Sequence, residues 1–351
     1  MSRRPRLILS RQALAQNYQR LSSVSGNAEC AASIKADAYG VGIEFAAPVL
    51  WEAGCQTYFV AYLEEALALR ELLYDATIYV FHGFDVGDFD IARSARIRPV
   101  INSSEEASIP RIEQLNPALH VDTGMRRLGI PQYEMDRIID LVERSKPSLL
   151  MSHLARADEQ ESTHNLTQLE RFNLIRNQLG GACPNSSLAN TAGILLGPTF
   201  HFELVRPGIG LYGGSPDPND PKGFEPVVTW QAQVMELQDV AMGESVGYGG
   251  VFLAPRELKL ATIGIGYADG YHRILSGRGE VAIDGQICPI VGRVSMDLVT
   301  LDVSAIPNIK RGTWVEIMGP TISIDTMAVK ADTITYELLT RLGPRIERVV
   351  V

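Results

Sequence analysis

Two hydrophobic periods alternate along the first two hundred residues. Short apolar, β-prone runs at 30–34, 57–61, 77–81, 98–102, 118–122, 148–153, 186–190 and 202–206 read as strands. Most are separated by stretches with helical spacing, such as Leu14, Tyr18 and Leu21, or Leu166, Leu169 and Phe172. Ser10 is placed to cap the first of these helices. Alternation of this kind predicts a parallel sheet with helical crossovers. Eight such units in roughly 210 residues suit a closed (β/α)8 barrel. An open doubly wound sheet is the alternative, and no G-x-G-x-x-G follows an early strand to support it.

The pattern changes near Ser215-Pro216-Asp217-Pro218-Asn219-Asp220-Pro221, which has linker composition. Beyond it, long helical periodicity is lost. Strand-like runs occur at 227–234, 258–265, 280–283, 288–291 and 299–303, and Asp284-Gly285 between two of them is a hairpin signal. The chain is therefore expected to be α/β: a barrel domain over 1–223, whose first residues pair with the second domain, then a mainly β domain over 224–351.

Punctuation falls just after the barrel strands, at Lys35, Tyr62, Gly83, Asn102, Asp122, His153, Asn190 and Arg206. In a barrel these ends share one rim, where active sites are built. Lys35 closes an apolar strand. Its amine either reaches water or is kept for covalent chemistry on a carbonyl cofactor. Arg206-Pro207-Gly208-Ile209-Gly210 is either a tight turn or a backbone seat for an anion. Asn190-Thr191 either donates to the same anion or caps a helix. Arg126-Arg127 follows a strand, as a solvated basic loop or a carboxylate grip. His153 alone reads as a satisfied strand-end histidine. Tyr267, between Gly266 and Ala268, is a packing residue or a proton-transfer group.

Composition narrows the classes. The net charge of −9 argues against a nucleic-acid surface. No apolar run approaches the roughly 18 residues of a membrane helix, and the apolar run after the basic start is too short for a signal peptide. Four cysteines, Cys30, Cys55, Cys183 and Cys288, form no C-x-x-C pair. They suggest no metal site and suit reduced thiols in a cytoplasmic protein.

Taken together the motifs resemble the alanine racemase family, pyridoxal-phosphate enzymes of fold type III. The resemblance spans nearly the whole chain. It rests on Ile34-Lys35-Ala36-Asp37-Ala38-Tyr39-Gly40, Asp122-Thr123-Gly124-Met125-Arg126-Arg127-Leu128-Gly129, Arg206-Pro207-Gly208-Ile209, Gly266-Tyr267-Ala268-Asp269-Gly270 and Gly292-Arg293-Val294-Ser295-Met296-Asp297, in family order. It implies pyridoxal 5'-phosphate as cofactor and L-alanine and D-alanine as substrates. It also implies a cytoplasmic homodimer that shares its active site and supplies D-alanine for peptidoglycan, without nucleic-acid or membrane partners. Lys35 would carry the cofactor and act as base on the D-alanine face. Tyr267 from the other subunit would act on the L-alanine face. Tyr39, Asn190, Thr191, Gly208 and Ile209 would hold the cofactor phosphate. His153 would stack on the ring and link Arg206 to Tyr267, and Arg206 would face the ring nitrogen. Arg127 and the Met296 backbone would bind the substrate carboxylate.

A guanidinium is a poor proton donor to a ring nitrogen, so Arg206 implies a weakened electron sink and fewer side reactions. It argues against a fold type III decarboxylase; a broad-specificity racemase is the nearer alternative. Three positions depart from the family pattern. His120 stands where many members carry a carbamylated lysine that braces the substrate-binding arginine, so Arg127 is expected to be braced by His120, an anion or acidic neighbours. Arg126 replaces the frequent glycine, asparagine or histidine. Arg341 stands where some members have a phosphate-binding tyrosine.

Overall fold

The computed structural model describes residues 4–351. They divide into two compact units: Leu14–Leu211, and the chain up to Ala13 together with Tyr212–Val351.

In the first unit the apolar runs pair as parallel neighbours. Ala32–Ser33, Thr57–Val60, Thr77–Val80, Ile97–Ile101, Ala118–Asp122, Leu149–Met151 and Asn185–Ser187 follow one another around the sheet. The last strand, Leu204–Val205, pairs in parallel with Glu29–Cys30 on one side. On the other, a parallel bridge joins Arg206 to Asn190, and Arg206 N–H donates to the Ala189 carbonyl at 2.9 Å. These contacts close the ring as a (β/α)8 barrel. The first strand is interrupted at Ala31, so its two short halves serve the neighbours on either side.

Alternate side chains fill the barrel. Phe59 stacks between Tyr79 and Phe81, with centroids 5.0 and 5.1 Å away. Ala31, Val100, Ala118, Leu149, Met151 and Leu204 complete this plug. Helices Arg11–Val24 and Thr163–Leu179 form where the 3.6-residue period was read, and Ser10 Oγ accepts from Ala13 N–H at 3.1 Å.

In the second unit Val228–Val240 is the long organising strand. It pairs with Arg6–Leu9, Trp314–Met318 and Leu258–Ile263, all antiparallel. Through Leu258–Ile263, Val299–Asp302, Gln286–Val291, Glu280–Ile283 and Trp314–Met318 the pairing returns to it, which closes a small barrel. Arg6–Leu9 also pairs in parallel with Glu347–Val350.

The compact units part between Leu211 and Tyr212, ahead of the linker-like run at 215–221 and of the expected domain start at 224. The reason is local bonding. Ser215 N–H donates to Asp325 Oδ1 at 2.9 Å, and the Ser215 carbonyl accepts from Thr335 Oγ1 at 3.0 Å. The linker-like run is thereby held to helices Ile324–Lys330 and Thr335–Thr340, which the loss of long helical periodicity did not reveal.

Candidate active site

The C-terminal strand ends of the barrel gather most of the residues singled out from the sequence. Lys35 follows the first strand directly. Beyond it Ala36, Asp37, Ala38 and Tyr39 all take left-handed backbone angles, with φ of 53, 52, 53 and 57°. A run of four such L-residues costs roughly 4–8 kcal/mol in backbone strain, at 1–2 per residue. Such strain persists where surrounding contacts over-determine it. Here Glu65 supplies the anchor: its carboxylate accepts from Ala36 N–H and Ala61 N–H, each at 2.7 Å, and from Tyr62 N–H at 3.3 Å. Asp37 Oδ1 holds Ile43 N–H at 2.7 Å. The turn sends Tyr39 back across the rim.

Tyr39 lands on Gly208. A Cβ at Gly208 would lie 2.1 Å from Tyr39 Oη, so glycine is required for this close approach. Thr191 Oγ1 accepts from Gly208 N–H at 2.9 Å and Gly210 N–H at 3.4 Å, which leaves its own proton free to donate. Asn190 Oδ1 caps helix Thr191–Leu195 through Gly193 N–H at 2.9 Å. Its carbonyl end is thus committed to positioning Thr191, and only its NH2 remains to face an anion. Ile209 opens the short turn Ile209–Tyr212. Tyr39, Thr191 and Gly208 are therefore in contact at one point of the rim, with Ile209 next in the chain.

Arg206 is 2% exposed. It donates from Nη2 to the Ser152 carbonyl at 2.6 Å and from Nη1 to Ser187 Oγ. Its buried Nε has no acceptor among the described residues. Burial lowers its pKa to about 9, so it stays cationic at neutral pH. Its guanidinium carbon sits 5.9 Å from the Phe59 ring centroid. Lys35 Nζ lies 5.7 Å from the Phe81 ring centroid. Burial, with the charge of Arg127, holds the Lys35 amine below its ordinary pKa, and Glu65 partly opposes this.

His153 is held well below the usual imidazole range by burial, then by Arg206, Arg127, His120 and Lys35. It is a neutral ring at neutral pH. Of the Arg206–His153 pair, only Arg206 therefore carries charge. Gln168 fixes this strand end, donating to the His153 carbonyl at 2.9 Å and accepting from Ala155 N–H at 2.8 Å.

Arg127 projects from a loop shaped by Asp122, whose Oδ1 accepts from Gly124, Met125 and Arg126 N–H groups at 2.9, 2.9 and 3.1 Å. The loop returns as Ile130–Pro131, paired with Val121 and Asp122. Gly129 is thereby pressed against the His120 ring, where a Cβ would come within 3.1 Å. Arg126 adopts φ 58°. That is the physical sense of the glycine or asparagine frequent at this position, and arginine tolerates it here at a cost.

Tyr267 and Met296 belong to the other unit, where the structure brings them together. Tyr267 N–H donates to the Ser295 carbonyl at 3.1 Å, and Ala268 N–H to the Met296 carbonyl at 3.0 Å. Gly266 allows this approach, since a Cβ there would lie 2.2 Å from Met296 O. Asp269 locks the turn: Oδ2 accepts from Gly266 N–H at 2.9 Å, and Oδ1 from Arg345 Nε at 3.0 Å. Arg345 also meets Asp297 at 2.7 Å. Both side chains are left exposed, Tyr267 at 44% and Met296 at 53%. Arg341 pairs with Glu337 at 3.2 Å on the surface of helix Thr335–Thr340.

Sequence reasoning passed over Glu65, Gln168, Ser187 and Asp269 as supports. Glu65 lay inside an ordinary helical pattern, and the only signal was an acidic residue in its first turn.

Comparison with known proteins agrees along the whole chain. Residues 9–216 match the family profile described as alanine racemase, N-terminal domain, and residues 227–350 that of the C-terminal domain. An alanine racemase of Methylobacterium nodulans is 46% identical over 353 residues, covering 98% of this chain and 95% of that one. Alanine racemase from Bartonella henselae, solved with covalently bound pyridoxal phosphate, superposes with a TM-score of 0.92 at 36% identity, over 99% of each chain. The biosynthetic alanine racemase of Pseudomonas aeruginosa gives a TM-score of 0.93 at 32% identity, over 100% of each. The chain belongs to the alanine racemase family.

Proposed function

We propose that the chain interconverts L-alanine and D-alanine with pyridoxal 5'-phosphate as cofactor, by proton transfer on opposite faces of the substrate. The observation that carries this reading is the unpartnered, buried Nε–H of Arg206 on the same rim as a depressed lysine amine and the hydroxyls of Tyr39 and Thr191 gathered at Gly208. An N–H donor without an acceptor suits a ring nitrogen that keeps its lone pair. This cluster suits a phosphate held by the Tyr39 and Thr191 hydroxyls and the Ile209 N–H, with the Gly208 N–H, which donates to Thr191 Oγ1, turning to the anion when it binds. Lys35 would hold the aldehyde end, and His153, neutral and flat, would lie along the ring.

Bound there, pyridoxal phosphate supplies a conjugated system that draws off the electrons left by the departing α-proton. Lys35 Nζ takes or returns that proton on the D-alanine face, a task eased by an amine whose pKa burial and Arg127 lower. Tyr267 Oη, from a second copy of the chain, does the same on the L-alanine face. Arg127 grips the substrate carboxylate, with the Met296 backbone beside it. The product serves peptidoglycan synthesis in the cytoplasm. No described helix is long and apolar enough to cross a membrane.

Borohydride reduction of the holoenzyme followed by peptide mapping should place the label on Lys35. Tyr267→Phe should remove α-proton exchange from L-alanine while the cofactor absorbance persists. Survival of that exchange would overturn the two-base assignment. Turnover of serine or lysine at rates matching alanine would favour a broad-specificity racemase.

A further inference from the structure

The opposite face of the barrel holds a second cluster that the racemase reading does not use. At the N-terminal ends of strands Thr77–Val80 and Ile97–Ile101 lies a cavity of about 250 Å³. Its lining includes four arginines, Arg70, Arg93, Arg96 and Arg98, and a single carboxylate, Asp75. Four positive charges less one negative leave an excess of three, in a chain whose net charge is −9. The local sign therefore cannot follow from general basicity.

Arg70, Arg96 and Arg98 donate to neutral protein acceptors, which leave their charge in place. Arg70 donates to the carbonyls of Ala95 at 2.8 Å, Leu73 at 2.9 Å, Tyr74 at 2.6 Å and Arg96 at 3.2 Å. It closes the ends of helices Leu63–Leu72 and Phe89–Ser94, so its place is structural. Arg98 donates to Tyr79 Oη at 3.0 Å. Arg96 reaches the Tyr74 carbonyl and stands 3.8 Å from Asp75, an exposed contact of little weight. Burial and the charges of Arg96 and Arg98 all act against the charged form of Arg70. An anion entering the cavity would relieve that repulsion.

We propose that this cavity is a binding site for a phosphorylated small molecule. Guanidinium groups match phosphate oxygens in pairs, and a dianionic phosphate balances most of the excess charge. The amide side chains of Gln114 and Asn116 add hydrogen-bonding capacity at the edge, and the buried Ile97 and Leu115 give an organic portion an apolar floor. The site shares no lining residue with the candidate active site, because the barrel strands run between the two faces.

The test is calorimetric titration of the borohydride-reduced holoenzyme with pyrophosphate at constant ionic strength, with sodium chloride and sulfate as controls. Reduction keeps the cofactor phosphate in its own seat. Saturable one-to-one binding is expected, weakened at least tenfold in Arg93→Gln/Arg98→Gln, with racemisation by that variant unchanged in the absence of pyrophosphate. Arg93→Gln alone, a change at an exposed side chain, guards against a folding defect and should weaken binding by a smaller factor. Heat no greater than with sodium chloride, or pyrophosphate binding that both variants retain in full, would overturn the proposal.

Discussion

His120 Nδ1 lies 2.8 Å from Asn102 Oδ1, and the direction of this hydrogen bond is fixed by what surrounds it. Asn102 Nδ2 already donates to the carbonyls of Phe81 at 2.9 Å and Val100 at 3.0 Å. Its Oδ1 is therefore the acceptor, and the proton sits on His120 Nδ1. The lone pair is left on Nε2. A neutral imidazole in this tautomer offers an acceptor to its surroundings, which is what a guanidinium such as that of Arg127 requires. The family resemblance implies a carbamylated lysine here in many members; the acceptor on His120 Nε2 needs no covalent modification.

Burial, then Arg206, lowers the His120 pKa to about 4. In the unfolded chain it returns to about 6.5. Between those values the unfolded state binds more protons, so stability falls as pH drops through the window. The contribution is on the order of 3 kcal/mol. Urea unfolding of the wild type and His120→Gln should show it: the variant's stability changes less between pH 6.5 and 4. Parallel pH curves would rule out the buried neutral imidazole. Mass spectrometry should find no carbamate on any lysine near Arg127.

Arg126 invites a substitution that gains stability. Its φ of 58° is one that glycine adopts freely. The side chain is exposed, so little packing is lost. Arg126→Gly should stabilise the protein by about 1 kcal/mol, read as a higher midpoint in thermal unfolding. The same change loosens the loop ahead of Arg127, so KM for alanine should rise while kcat moves less. A lower midpoint would show that Arg126 makes contacts that outweigh its backbone strain.

The barrel, the small β domain and the rim positions were legible because they follow from period and punctuation. Alternating apolar runs fix strands and helices, and polar residues after strands mark the rim. The left-handed turn at 36–39 was not legible. Alanine and tyrosine carry no local preference for positive φ, and the turn is imposed by Glu65 from a helix that begins 24 residues after residue 39. The role of Asp269 was hidden for the same reason. Its partner Arg345 lies 76 residues on, and no local pattern joins them. The strand-to-rim logic located Asn190, but only the geometry assigned its carbonyl to the helix cap.

Glu65 acts on Lys35 in two ways, through the turn and through charge. Its carboxylate favours the ammonium form of Lys35. Glu65→Gln removes that charge and turns an NH2 group toward N–H donors. Stability should fall by about 1–3 kcal/mol. The Lys35 pKa should fall further, moving the acid limb of the kcat/KM profile toward lower pH. An unmoved limb in a correctly folded variant would show that another group governs it.

Asp269 offers a separate handle on the L-alanine face. Its two oxygens hold Gly266 N–H and the Arg345 guanidinium, and the side chain is 4% exposed. Asp269→Asn keeps the shape but loses the charge and one acceptor. The cost should be about 1.5–3 kcal/mol, that of hydrogen bonds to a charged group. The loss falls on the turn that carries Tyr267 and abuts Met296. Under a two-base mechanism the variant should lose exchange of the α-proton of L-alanine more than that of D-alanine, because Lys35 stands in the other unit. Deuterium exchange followed separately from each enantiomer reads this directly. An equal fall for both would mean that Asp269 supports the fold of its domain without positioning Tyr267.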